Sequence, residues 1–166
     1  MIVARAQNGA IGKNNDMIWS LPDDMKYFKD KTRHHHVLMG RKNFDSLPPS
    51  FQPLPDRINI IITRNKDWSA DGTQVFHDIQ SGIDYADDNN EKELFIIGGG
   101  EIYKQGLNLA DKLYITEVYA DFPDADAYFP AIDLTNWKEI SRKKHAQDEK
   151  HKYAFDFVVY DRKNPE

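Results

Sequence analysis

The stretch "WSLPDDMKYF", Trp19 to Phe28, sets a carboxylate on the apolar stripe of a helix. Leu21, Asp24, Met25 and Phe28 recur at helical spacing and so share one face. Asp23, next door, has a structural role. With Ser20 three residues earlier it approximates a capping box, and Pro22 suits the first helical turn. Asp24 would also complement the positive end of the helix. A carboxyl group among Leu21, Met25 and Phe28 is nevertheless partly desolvated, which favours its neutral form and raises its pKa. Such a group can hold the hydrogen-bond-donating edge of a substrate and relay a proton to it.

A second candidate is "LFIIGGGEIYKQGL", a buried strand running into Gly98, Gly99 and Gly100 and then a helix. Three glycines let a ligand or a neighbouring strand approach the backbone closely, and a helix N-terminus offers free N–H groups to a pyrophosphate. The run is not G-x-G-x-x-G and lacks a P-loop Lys-Ser/Thr, so a plain tight turn is the other reading. Two further strands end in cations: Arg41 and Lys42 after "VLMG", and Arg64 after "IIIT". Ligands of open α/β sheets gather beyond the carboxyl ends of strands. Cations there, without an acid at either strand end, suit a phosphate better than a ribose diol, which favours NADP over NAD. The alternative is a solvated surface cluster. His34, His35 and His36 are consecutive and cannot converge on one ion from a strand, so no metal is expected. Trp19 alone reads as core, and Arg57 as a turn residue.

These residues need elements to carry them. Near-continuous Ile in "INIIIT" and "LFIIG" reads as strands buried on both faces, as in a parallel sheet. "IVARA", "HVLMG", "KLYITEVYA" and "YAFDFVVYD" supply further strands, the last two alternating apolar and polar residues as at an antiparallel end. Between the strands lie helical segments, 22–31, 41–46, 79–87 and 101–108. Strands alternating with helices imply an α/β fold with right-handed crossovers. At 166 residues, one domain over 1–166 is expected. A balance of 22 basic against 27 acidic residues disfavours nucleic-acid binding. With no cysteine there is no disulfide or thiolate site, and no apolar run approaches a membrane span or a signal sequence. The expectation is a cytoplasmic protein with no membrane partner.

In order and spacing, "AIGKNNDMIWSLPDDMKYF", "VLMGRKNFDSL", "PLPDRINIIITR", "FIIGGGEIY", "KLYITEV" and "DAYFP" together resemble the bacterial chromosomal dihydrofolate reductases over essentially the whole chain. The resemblance implies three layers, a mostly parallel eight-stranded sheet with an antiparallel C-terminal edge, and about four flanking helices. It implies hydride transfer from NADPH to dihydrofolate, in a monomer open to antifolate-type inhibitors. Asp24 matches the family's active-site carboxylate, Trp19 the residue that positions a water beside it, and Thr116 the hydroxyl bonded to it. Met17 falls in the closing loop, and Asp126 matches an acid that holds that loop's backbone. The implied folate pocket takes in Ile2, Val3, Ala4, Met25, Phe28, Leu47, Leu54 and Ile97, with Arg57 on the carboxylate of the glutamate tail.

On the cofactor side, Ala4, Ile11 and Gly12 match positions near the nicotinamide, with Tyr103 close to its ring. Gly98, Gly99 and Gly100 with Glu101 and Ile102 match the pyrophosphate segment. Arg41, Lys42 and Arg64 match the 2′-phosphate site, Asn43 a position next to the pyrophosphate, and Gly40 and Thr63 further cofactor-binding positions. The chain departs from the common pattern at Ile18, His36, Asn43 and Ala125, none of which lies on the implied proton path. Another pterin or flavin-precursor reductase of the same fold, or a silent NADP-binding protein, remains as an alternative. Asp24 and Arg57 favour folate.

Overall fold

The computed structural model describes residues 1–164. Its strands are β1 (Ile2–Ala6), β2 (Ala10–Gly12), β3 (His36–Gly40), β4 (Ile58–Ile62), β5 (Thr73–Phe76), β6 (Phe95–Gly98), β7 (Lys112–Val118), β8 (Ala127–Tyr128), β9 (Trp137–His145) and β10 (Phe155–Arg162). Its helices are α1 (Pro22–Thr32), α2 (Arg41–Ser46), α3 (Ile79–Asp88) and α4 (Gly100–Gly106), with α4 running into a 3-10 turn at Leu107–Leu109. Eight strands form two four-stranded halves, ordered β5-β4-β3-β6 and β1-β7-β10-β9. The first half is wholly parallel; in the second, β1 and β7 are parallel while β10 runs antiparallel to β7 and β9. The halves meet where β1 lies beside β6. Tyr103 spans that seam: its hydroxyl lies 2.8 Å from Ile2 O on β1 and 2.7 Å from Ile97 O on β6.

Strand alternation makes the three layers. Leu38, Ile60, Ile62 and Ile96 turn to one face with Ile79 of α3 and Ile102 of α4. Val37, Met39, Ile61, Phe95 and Ile97 turn to the other, where Tyr27 and Phe28 of α1 and Phe44 of α2 cover them. A third cluster gathers Trp19, Leu21, Val118 and Phe155.

The start of α1 differs from the expected capping box. Leu21 is the N-cap and no side chain of its own caps the helix. Instead the Asp23 N–H donates to His151 Nε2 at 3.0 Å, so an imidazole 128 residues away does the work a Ser20 hydroxyl was expected to do. Four strands were not read from the sequence, of which β2 and β8 are only three and two residues long. β5 is a short four-residue strand, and β9 ("WKEISRKKH") is almost wholly solvent-exposed, so neither carries an apolar signal. Among the described residues no helix is long and apolar enough to cross a membrane.

Candidate active site

Asp24 occupies the first turn of α1 but faces inward, 7 % exposed. Its Oδ1 accepts a 2.6 Å hydrogen bond from the Thr116 hydroxyl on β7. Burial pushes its carboxyl above the usual range, and the Thr116 bond opposes that shift without cancelling it. Thr116 pairs in register with Ala4 on β1, so the acid, the hydroxyl and Ala4 are fixed by one helix and two adjacent strands. Trp19 packs beside Leu21, and its buried indole N–H has no partner among the described residues. Burial of the Tyr103 phenol, with Asp24's charge second, raises its pKa, so at the seam it stays a neutral donor.

Along the face below Asp24 lie Ile2, Leu54 and Ile97, with Phe28 and Leu47 packed against them. Arg57 stands at the far end of this wall. Its Nη1 donates to Thr32 Oγ1 at 3.1 Å, its Nε to Pro55 O at 2.9 Å, and its guanidinium lies 5.9 Å from the Phe28 ring centre. Burial lowers its pKa, though an arginine so placed keeps its charge. Two residues named from the sequence sit differently. Val3 turns to the opposite face, among Ile115 and Tyr103, because neighbours on a strand alternate. Met25 is 50 % exposed, so the stripe of Leu21, Asp24 and Phe28 does not bury it. Met17 is also half exposed, and its N–H donates to Asp16 Oδ1 at 2.8 Å. The loop carrying it is held from across the molecule: Asn14 N–H donates to Asp126 Oδ2 at 2.9 Å, and Asp126 N–H to Gly12 O at 3.1 Å. Ile11 and Gly12 belong to β2, which pairs with β8.

The carboxyl ends of three adjacent parallel strands, β4, β3 and β6, carry the second group of candidates. β3 ends in Gly40 and leads into Arg41, Lys42 and Asn43 of α2; β4 leads into Thr63 and Arg64; β6 ends in Gly98 and leads into Gly99, Gly100 and Glu101. Lys42, Arg64 and Glu101 are exposed, whereas Arg41 lies 5.5 Å from the Trp68 ring and donates to Asp45 at 3.2 Å. Thr63 and Ile102 are buried. Gly98 has φ +119, and a Cβ there would fall 3.0 Å from the Tyr103 ring, so only glycine fits. At Gly99 a Cβ would meet nothing within 4 Å: this backbone is bare on its outer side. A glycine strand end with an open face beside exposed cations is a fit for a pyrophosphate and an extra phosphate. Two of the histidines of 34–36 face one carboxylate: His35 Nδ1 lies 3.0 Å and His36 Nδ1 3.7 Å from Glu91 Oε1. His34 is exposed, while the His35 ring and the His36 backbone N–H both turn to Glu91.

Sequence reasoning missed Asn59, which is fully buried in β4. Its Oδ1 accepts from Leu54 N–H at 2.9 Å, and its Nδ2 donates to Leu54 O at 3.0 Å and Arg57 O at 3.1 Å. One amide therefore pins both ends of the loop that presents Leu54 and Arg57. A polar residue inside "INIII" was the available signal.

Comparison with known proteins points one way. A family model described as Dihydrofolate reductase matches residues 1–162. A dihydrofolate reductase of Bacillus subtilis is 38 % identical over 163 residues, 98 % of this chain and 94 % of the relative. One from Staphylococcus haemolyticus is 37 % identical over 162 residues, with the same coverage. Among solved structures, the dihydrofolate reductase of Enterococcus faecalis complexed with NADP(H) and RAB-propyl superposes with a TM-score of 0.88. It is 35 % identical and the match covers 98 % of this chain and 95 % of that one.

Proposed function

Because the chain belongs to the dihydrofolate reductase family, we propose that Asp24 is the carboxyl group through which it assists protonation of its substrate. The enzyme carries out the NADPH-dependent reduction of dihydrofolate to tetrahydrofolate. When bound, NADPH supplies a hydride from its nicotinamide C4 to pterin C6, and a proton must reach N5.

The observation that carries the assignment is the pairing of Asp24, buried and raised in pKa, with one hydroxyl donor, Thr116. A carboxylate in that setting hydrogen-bonds the 2-amino and N3 edge of the pterin and favours the N5-protonated form. The unpartnered Trp19 indole N–H supports a water beside the acid as the route of the proton. Phe28, Leu47 and Leu54 wall the substrate and keep bulk solvent off it, and Arg57 takes the carboxylate of the glutamate tail. Tyr103, Ile11 and Gly12 flank the nicotinamide. The backbone of Gly98–Gly100, bare at Gly99, holds the pyrophosphate, and Arg41, Lys42 and Arg64 hold the 2′-phosphate. Closure of the loop containing Met17, anchored through Asn14 and Asp126, excludes water during the hydride step. On this reading the chain is one domain that works as a monomer in the cytoplasm, and antifolate-type inhibitors compete for the pocket at Asp24.

Steady-state NADPH consumption with dihydrofolate tests the central assignment. Asp24→Asn should lower turnover at neutral pH about a hundredfold or more. Partial recovery is expected at low pH, where substrate arrives already protonated. Equal turnover in both proteins across that range removes Asp24 from the proton path.

A further inference from the structure

Outside the catalytic groove, three side chains from distant parts of the sequence meet at the start of α1. Asp23 comes from the helix, His145 ends β9, and His151 lies in the turn between β9 and β10. His145 Nε2 is 2.7 Å and His151 Nε2 3.9 Å from Asp23 Oδ2, and one ligand atom from each residue lies within 4.8 Å of the other two. We propose that this cluster is a binding site for Zn2+, held by the two Nε2 atoms and one oxygen of Asp23.

The far side of each ring carries the argument. His145 Nδ1 lies 2.8 Å from Ala146 O, and His151 Nδ1 lies 2.7 Å from Asp148 Oδ1. Carbonyl and carboxylate oxygens only accept, so these contacts assign a proton to each Nδ1. Outer oxygens that fix Nδ1–H and leave Nε2 to bind are what orient metal-ligating histidines. His145 then faces an acceptor at both nitrogens, Ala146 O and the Asp23 carboxylate. At 2.7 Å no ion fits between Nε2 and the carboxylate, so this contact is a hydrogen bond from Nε2–H, whose proton Zn2+ would displace. His151 differs: its Nε2 accepts the Asp23 N–H, so it is neutral and already carries a lone pair.

Both rings are fixed in advance. His145 stacks on Phe155 with centroids 4.3 Å apart and planes at 13°, and the His151 side chain is 1 % exposed. Ligand atoms about 3.3 Å apart surround a tetrahedral Zn2+. The 2.7 Å pair must therefore open and the 3.9 Å pair close, by adjustments the exposed Asp23 side chain can make. Loading takes the His151 lone pair from the part-buried Asp23 N–H, so the first turn of α1 gives up this cap when the ion binds. Two nitrogens and one oxygen suit Zn2+ and exclude Mg2+, which demands oxygen and water ligands. The bound ion ties the β9–β10 turn to the residue just before Asp24.

Calorimetric titration of the purified protein with Zn2+ tests the site, with circular dichroism confirming that each variant is folded. One equivalent should bind and raise the thermal midpoint. Asp23→Asn, which keeps size, and His145→Gln, which keeps a polar side chain but gives up the ring stacked on Phe155, should each weaken binding at least tenfold. His35→Gln, away from the cluster, should leave it unchanged, and Mg2+ should not displace the ion. The proposal is overturned if Zn2+ does not bind, if it binds equally to His145→Gln and Asp23→Asn, or if His35→Gln alone abolishes binding. None of these readouts depends on dihydrofolate turnover.

Discussion

The Thr116 hydroxyl donates to Asp24 Oδ1 at 2.6 Å, joining strand β7 to helix α1 across 92 positions of sequence. β7 sits between β1 and β10, so the acid's partner is on an interior strand rather than a loop. Two influences meet on one carboxyl. Burial favours its neutral form and prevails, while the hydroxyl favours the charged form.

Thr116→Val deletes the opposing influence and keeps the shape. Asp24 should then titrate still higher, and the pH–rate profile of hydride transfer should move to higher pH. A hydrogen bond to a charged group contributes about 1.5–3 kcal/mol, so at alkaline pH the variant should be less stable by that amount. Thr116→Ser should behave as wild type. Stopped-flow pH profiles and urea midpoints measure the two effects. Superimposable profiles for Thr116→Val and wild type would show that the hydroxyl does not tune the acid.

Asp24 also costs the fold stability, and the sign follows from its raised pKa. Between the unfolded carboxyl value near 3.9 and the higher folded value, the native state holds more protons than the unfolded one. Stability attributable to Asp24 is therefore lost as pH rises through that window and stays lost above it. Asp24→Asn should stabilise the fold at neutral and alkaline pH, by about 1.4 kcal/mol for each unit of displacement, and raise the thermal midpoint with it. The gain should vanish near pH ~3, below the unfolded value. Melting curves at the two ends of the range decide it, and a gain independent of pH would place its origin outside the titration.

How far the sequence reached depended on whether a residue's role was local. Asp24 was legible because a charge on an apolar stripe breaks a pattern, and Gly98–Gly100 because three glycines end a buried strand. α1, α2 and α3 lie within a residue of their expected bounds, since each fills a gap between apolar strand runs. β9 was not legible, since an exposed strand at the sheet edge needs no apolar alternation. Nor was the α1 cap: Ser20 has the right type and spacing, but the acceptor came from His151, which no local pattern links to Asp23. The sequence drew attention to His34–His36, of which His35 and His36 face Glu91, while the three-residue group of possible metal ligands is Asp23, His145 and His151.

Arg64 should read the 2′-phosphate. It is exposed beyond β4, the neighbour of the strand that leads into Arg41 and Lys42. Arg64→Ala should weaken NADPH about ten- to a hundredfold, in keeping with a loss of about 1.5–3 kcal/mol from a charge-assisted contact, and leave NADH nearly unchanged. Fluorescence titration with both cofactors gives the ratio, and an equal loss for the two removes Arg64 from that role.

Asp126 bears on loop closure. Its carboxylate accepts from Asn14 N–H, so Asp126→Ala frees the loop that carries Met17. An exposed bond of this type contributes about 1 kcal/mol, or roughly fivefold in the closed population. Hydride transfer should slow by that factor, with Asp126→Asn, which keeps an acceptor, in between. A hydride rate unchanged in Asp126→Ala would separate the anchor from closure.

Asn59 touches neither the acid nor the cofactor face, yet it should govern substrate affinity. Its amide holds Leu54 at both backbone groups and Arg57 at its carbonyl. Asn59→Ala strands the buried Leu54 N–H and costs about 1–3 kcal/mol of stability. Leu54 and Arg57 grip the substrate alike before and during hydride transfer, so loosening them removes uniform binding. KM for dihydrofolate should rise several-fold while kcat stays close to wild type. A pterin substrate without the glutamate tail makes no use of Arg57 and should show a smaller change in KM, which separates a displaced arginine from general loosening of the pocket. A fall in kcat matching the fall in kcat/KM would mean that Asn59 acts on the transition state, and that the Leu54–Arg57 loop is not a passive wall.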